Sequence, residues 1–196
     1  MRKVTTILSV ASLLIAGSAF AQEKKAAEPK PAEAKPAAGA AKPAEAAKPE
    51  MPKPAPELQQ YKMMIGNWKC EGKGTMMGKE MKATSTYKAA WDLDNYWVIA
   101  HFEGKAQGMP GSHKGIDFYG YDPASKMYVV MSVDNMGGSS TAKSKGWEGD
   151  KQEWTGKGQM MGKESDVKWT VTKKTDKEIT ISGTFGTDSF EETCKK

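Results

Sequence analysis

The sequence predicts an all-β protein: an antiparallel up-and-down barrel of about ten strands behind a short helix, preceded by a signal peptide and a disordered Ala/Pro/Lys/Glu linker. Three observations carry that expectation. From residue 67 onward, short runs of alternating apolar and polar residues are separated by Gly, Asp and Asn, the period-two pattern of half-buried strands. The links between runs are only a few residues long, which suits antiparallel neighbours and leaves no room for crossovers. Residues 22–57 are almost entirely Ala, Pro, Lys and Glu with little to bury, so one core must lie beyond them.

Residues 1–21 have the three parts of a signal peptide: Arg2 and Lys3, an apolar run from Val4 to Ala16, and small residues at Ala19 and Ala21. Cleavage after Ala21 and a periplasmic or secreted location are expected. The apolar run is shorter than the roughly 20 residues of a membrane span. No cysteine follows it to carry a lipid. Left uncleaved, the same segment would be the chain's one route to a membrane.

Lys-Pro recurs at 30–31, 35–36, 42–43, 48–49 and 53–54, and eight of the ten prolines fall within 22–57. Such a stretch stays extended and partly polyproline-II, with a reach of at most roughly 100 Å. It works as a solubilising spacer, or as an arm that presents the domain to a protein or cell-wall partner in the envelope. Net charge is +5, but Arg2 and Lys3 supply +2 and the linker +1 (7 Lys minus 6 Glu), leaving the domain at +2 (20 Lys minus 18 acids). Nucleic acid is therefore excluded as a partner, since that needs a clustered basic face.

The domain, 58–196, opens with Leu58 to Ile65, where Leu58, Tyr61, Met64 and Ile65 share one helical face. Strands are expected at 67–73, 81–91, 97–106, 115–121, 127–134, 141–147, 152–159, 166–172, 178–184 and 189–194. Asp94-Asn95, Asp122-Pro123, Gly149-Asp150 and Asp176 supply turn chemistry between them. Alternation turns Trp68, Cys70, Ala83, Ser85, Tyr87, Ala89, Trp91, Ala142, Ser144, Gln152, Trp154, Val167, Trp169, Val171, Ile179 and Ile181 inward, and the intervening lysines outward. The two cysteines, Cys70 and Cys194, fall in the first and last strands. In an oxidising compartment a disulfide is their default state. If those strands pair to close the barrel, the cysteines lie side by side, and closure removes the exposed sheet edges.

Gly66-Asn67-Trp68 at the start of the first strand is similar to the Gly-x-Trp opening of lipocalins and other calycin barrels. The stretch from Lys114 to Pro123, with Tyr128-Val129 and Asp134-Asn135-Met136-Gly137, resembles the centre of an uncharacterised bacterial family, domain of unknown function 1579. The likeness covers most of Leu58 to Cys194. What it implies is a calycin-like barrel without an agreed activity.

Gly72-Lys73-Gly74-Thr75-Met76-Met77-Gly78-Lys79-Glu80 recurs as Gly156-Lys157-Gly158-Gln159-Met160-Met161-Gly162-Lys163-Glu164. Each copy spans a predicted hairpin tip, and in a meander both tips turn at the same end. Met76, Met77, Met160 and Met161 would then form an adaptable apolar lid. Asp134 and Asn135, in a turn, would stand at the mouth. Thioethers also suit Cu(I), but neither copy contains the His or Cys that would favour a metal over a plain apolar cover.

Tyr87, Trp91, Trp154 and Trp169 offer inward rings for a flat or apolar ligand, or simply fill the core. His101 is the better placed of two imidazoles for a haem, although a lone strand histidine is more often structural. No Gly-x-Ser-x-Gly, Cys-x-x-Cys or metal-ligand cluster is present, so no catalytic residue and no cofactor are implied and the chain leans away from enzymes. Two functions remain: a barrel that binds a small hydrophobic or aromatic ligand, and a filled barrel serving as an envelope interaction module.

Overall fold

Ten strands of alternating inward and outward side chains close into a ring. The computed structural model describes residues 52–76 and 78–196. The expected signal peptide, most of the expected linker and Met77 lie outside the described residues. The strands are β1 (Gly66–Met76), β2 (Lys79–Asp92), β3 (Trp97–Ala106), β4 (His113–Asp122), β5 (Met127–Asp134), β6 (Ser139–Ser144), β7 (Trp147–Glu148), β8 (Lys151–Met160), β9 (Lys163–Thr175), β10 (Glu178–Phe185) and β11 (Asp188–Lys195). Every pairing is antiparallel between sequence neighbours, except that β1 pairs β11 and β6 pairs β8. Those two pairings close the barrel. The two-residue β7 is a spur on β8.

The expected strands appear at their expected places with longer ends, and one is corrected. The run 141–147 breaks at Gly146, whose φ of 102° is open to glycine and whose amide bonds the Ser144 hydroxyl at 3.0 Å. β6 therefore stops at Ser144, and Trp147 begins β7. The expected helix starts earlier, at Pro56, and is a 3₁₀ helix running to Met64. Proline suits its first turn because the missing N–H has no helical partner there.

Cys70 and Cys194 are direct cross-strand partners on β1 and β11 and form a buried disulfide. Because β1 and β11 are the first and last strands, the bridge staples the seam of the barrel.

The barrel has two unlike ends. One is plugged by the 3₁₀ helix, whose Leu58 and Tyr61 are buried. Burial, with Tyr128 beside it, pushes the Tyr61 hydroxyl far above its ordinary pKa, so it remains a donor, here to the Gly120 carbonyl at 3.3 Å. The Tyr128 hydroxyl donates to Glu57 O at 3.1 Å, the Trp68 indole to Met64 O at 2.8 Å, and the Lys196 ammonium to Met63 O at 2.7 Å. Behind the plug Tyr61, Tyr119, Tyr121, Tyr128, Trp154 and Trp169 form a continuous aromatic cluster, with the two indoles stacked at 5.7 Å. Replacing Tyr61 by Phe keeps this packing and removes one buried hydrogen bond. Thermal unfolding should register a loss of about 1 kcal/mol, and an unchanged midpoint would mean that the bond holds nothing.

Toward the other end the inward side chains shrink. β1 reads Trp68, Cys70, Gly72, Gly74 from plug to mouth, and β3 reads Val98, Ala100, Phe102, Gly104, Ala106. A Cβ on Gly72 would come within 2.7 Å of that of Glu192 on β11. Gly72 thus lets β1 approach β11 closely, while the small residues of β3 leave part of the mouth half of the barrel open.

Candidate functional site

The space left by those small residues is a cavity of about 710 Å³ at the mouth end, within the ordinary size range of small-molecule sites. Its rim is apolar and flexible: Met76, Met81, Met109, Met136 and Met160 all line it, with Phe185 and Phe190. Phe102 and Tyr87 extend from β3 and β2 into its wall, their rings 5.7 Å apart. His113, at the start of β4, packs edge-on against Phe102 at 5.2 Å.

The repeated methionine tips fall at the same end, as the meander requires. Met76 and Met160 both line the cavity, while Met161 points into solvent at 81% exposure. Met77 lies outside the described residues. Asp134 and Asn135 organise the rim. The Asp134 carboxylate accepts from the amides of Met136 and Gly138, each at 2.8 Å. Burial pushes its pKa up, but those amides and the neighbouring His113 outweigh this and hold it below the ordinary value. Asn135 clasps the loop before β4, accepting from the Lys114 amide at 2.8 Å and donating to Ser112 O at 3.0 Å. Asn135 also lines the cavity.

Of the five expected ligand-facing residues, Tyr87 lines the cavity. Trp91, Trp154 and Trp169 face inward but belong to the packed half near the plug, where Trp154 is 1% exposed. They fill core because the strands bring them to the helix end. His101 is corrected outright. Val98 and Ala100 are buried, so the odd positions of β3 face out, and His101 is exposed on the outer surface. The inward imidazole is His113, on the same parity of β4 as Asp117 and Tyr119.

Sequence reasoning missed the polar floor. Glu192 on β11 shares the inward parity of Cys194 and Phe190, and reaches the cavity. It accepts hydrogen bonds from the Ser85 hydroxyl at 3.3 Å and from Tyr87. Burial raises its pKa, the nearby Asp117 adds to that, and those two hydrogen bonds oppose it. Asp117, buried on β4, accepts from Tyr119 at 3.4 Å and from Ser132. Burial lifts its pKa to about 6 against the pull of those bonds and of His113. The parity of Cys194 would have revealed Glu192; nothing local marks Asp117. A largely apolar chamber with Glu192 in its wall can orient a ligand that is mostly apolar and polar at one end.

Comparisons with known proteins agree with this architecture. The crystal structure of Rv2717c from M. tuberculosis superposes with a TM-score of 0.59 at 12% identity, covering 74% of this chain and 99% of that one. The S-type phycobiliprotein lyase CPES from Guillardia theta reaches 0.44 at 5% identity, covering 70% and 90%. The first likeness is one of calycin-like fold alone. No curated protein matches the sequence. The model of the family described as "Protein of unknown function (DUF1579)" matches residues 53–190, and the chain belongs to that family.

Proposed function

We propose that this protein is an exported, non-enzymatic barrel that binds a small hydrophobic or aromatic ligand in the mouth-end cavity. The observation that carries this is the cavity of about 710 Å³ itself, walled by Met, Phe102 and Tyr87 where packed side chains would otherwise stand. Adaptable methionines at its rim suit a lid that repacks around the ligand. Export, with cleavage after Ala21, is supported by the residues of the first segment and by a disulfide that an oxidising compartment would maintain. A second reading, a partner-binding module, draws support from the outer face of β3 to β5. There Ile99, Phe118 and Met131 are cross-strand neighbours and Met131 and Val133 are 42% and 48% exposed.

Native mass spectrometry of the protein purified from the cell envelope tests the first reading. A bound small molecule should accompany the wild type and vanish in Ala83→Trp, which fills the chamber from β2. A wild type that is bare, and stays bare when mixed with an envelope extract, would move the assignment to the partner-binding module.

A further inference from the structure

The chamber is mostly apolar; exposed Lys73, Lys105 and Glu191 and half-buried Asp188 also border it, Lys73 within 3.9 Å of Glu191, whereas the carboxyls at its floor are acidic without a basic neighbour of their own. Glu192 reaches the cavity and Asp117 stands close enough to raise its pKa. Around these carboxyls stand Ser85 and Tyr87 of β2, His113 and Tyr119 of β4, and Ser132 of β5. The hydroxyls donate hydrogen bonds but bring no positive charge. Among the described residues the basic group acting on either carboxyl is His113, whose Nε2 lies 3.2 Å from an Asp134 oxygen without hydrogen-bond geometry. Buried carboxylates are ordinarily paired with a cation, and among the described residues no salt bridge reaches the buried Asp117 or the half-buried Glu192.

The geometry also narrows what kind of cation fits. Among the described residues the one trio of His, Cys, Asp or Glu whose ligand atoms converge is Glu192 with Cys70 and Cys194, and both sulfurs are engaged in the disulfide. Asp117, Glu192 and His113 do not converge on a point, as a metal ion would need. An organic head group has no such demand, because its donors spread over several ångströms.

Resting on the binding reading above, we infer that the ligand is an amphipathic amine. Its apolar or aromatic body lies among the methionines and Phe102, and its protonated amine faces Glu192, within the field of the buried Asp117. The body gains burial, and the head supplies the charge that the floor lacks.

Isothermal titration of the full chain with three matched probes, naphthylmethylamine, naphthalenemethanol and naphthoate, tests this. Near pH 8 the amine should bind about tenfold or more tighter than the alcohol, as a charge-assisted hydrogen bond implies, with the carboxylate weakest. Near pH 5, below the Asp117 pKa of about 6, the preference for amine over alcohol should shrink to about threefold or less. Glu192→Gln should collapse the same ratio near pH 8, and the pH series keeps the test valid if that variant folds poorly. An alcohol that binds as well as the amine, or a naphthoate that binds better, overturns the amine while leaving the cavity a binding site. Failure of all three probes to bind overturns both.

Discussion

Removing the Cys70–Cys194 bridge, by reduction or by the double replacement with Ala, is expected to lower the unfolding free energy by about 5 kcal/mol. The bridge joins residues 124 apart in sequence, and a loop of that length loses much of its unfolded-state freedom when closed. For a domain of this size the corresponding fall in melting temperature is roughly 10–20 °C. The bridge also joins the first strand to the last, so its loss frees both ends of the ring where β1 and β11 pair. Urea unfolding of oxidised and reduced protein separates the two effects. A steeper transition on reduction reports a more expanded unfolded chain, and coincident curves would mean that the seam is held by strand pairing alone.

Asp117→Asn is expected to stabilise the protein, and only above the acid range. The carboxyl titrates near 3.8 when unfolded and at about 6 in the barrel. Between those values the folded state holds a proton that the unfolded state has released, so stability falls as pH rises through that window. Below it the carboxyl is neutral in both states and costs nothing. Above it the ionised, buried carboxylate costs about 3 kcal/mol. Asn keeps the shape and an acceptor for Tyr119 and cannot ionise. Melting curves should therefore show Asp117→Asn above wild type by roughly 5–10 °C near pH 7.5, with no gain near pH 4. An equal gain at both values would trace the effect to packing instead of charge.

Much of the barrel was legible because its information is local. Alternation placed Trp68, Tyr87, Trp154 and Val167 inward, short turns made neighbours antiparallel, and the parity of Cys70 and Cys194 anticipated their pairing across the seam. Where alternation weakens, so did the reading. In β3 the run Trp97-Val98-Ile99-Ala100-His101-Phe102 is apolar on both faces, and the outer apolar stripe of β3 to β5 drew His101 to the wrong side. In β6 a single glycine with positive φ ended a strand that composition would have continued.

Strand pattern, disulfide partners and the shared end of the methionine tips were thus determined by the sequence, because each follows from side-chain parity and chain reversal along a meander. The free space, the packing of Trp154 against the plug, and the meeting of Asp117 with Glu192 were decided only by the tertiary structure. Parity says which side of a strand a residue faces and nothing about its height in the barrel. Whether inward side chains from ten strands fill a given layer depends on strand stagger and on what the helix already occupies. Two carboxyls 75 positions apart (192 − 117) come to influence one another only once the ring closes.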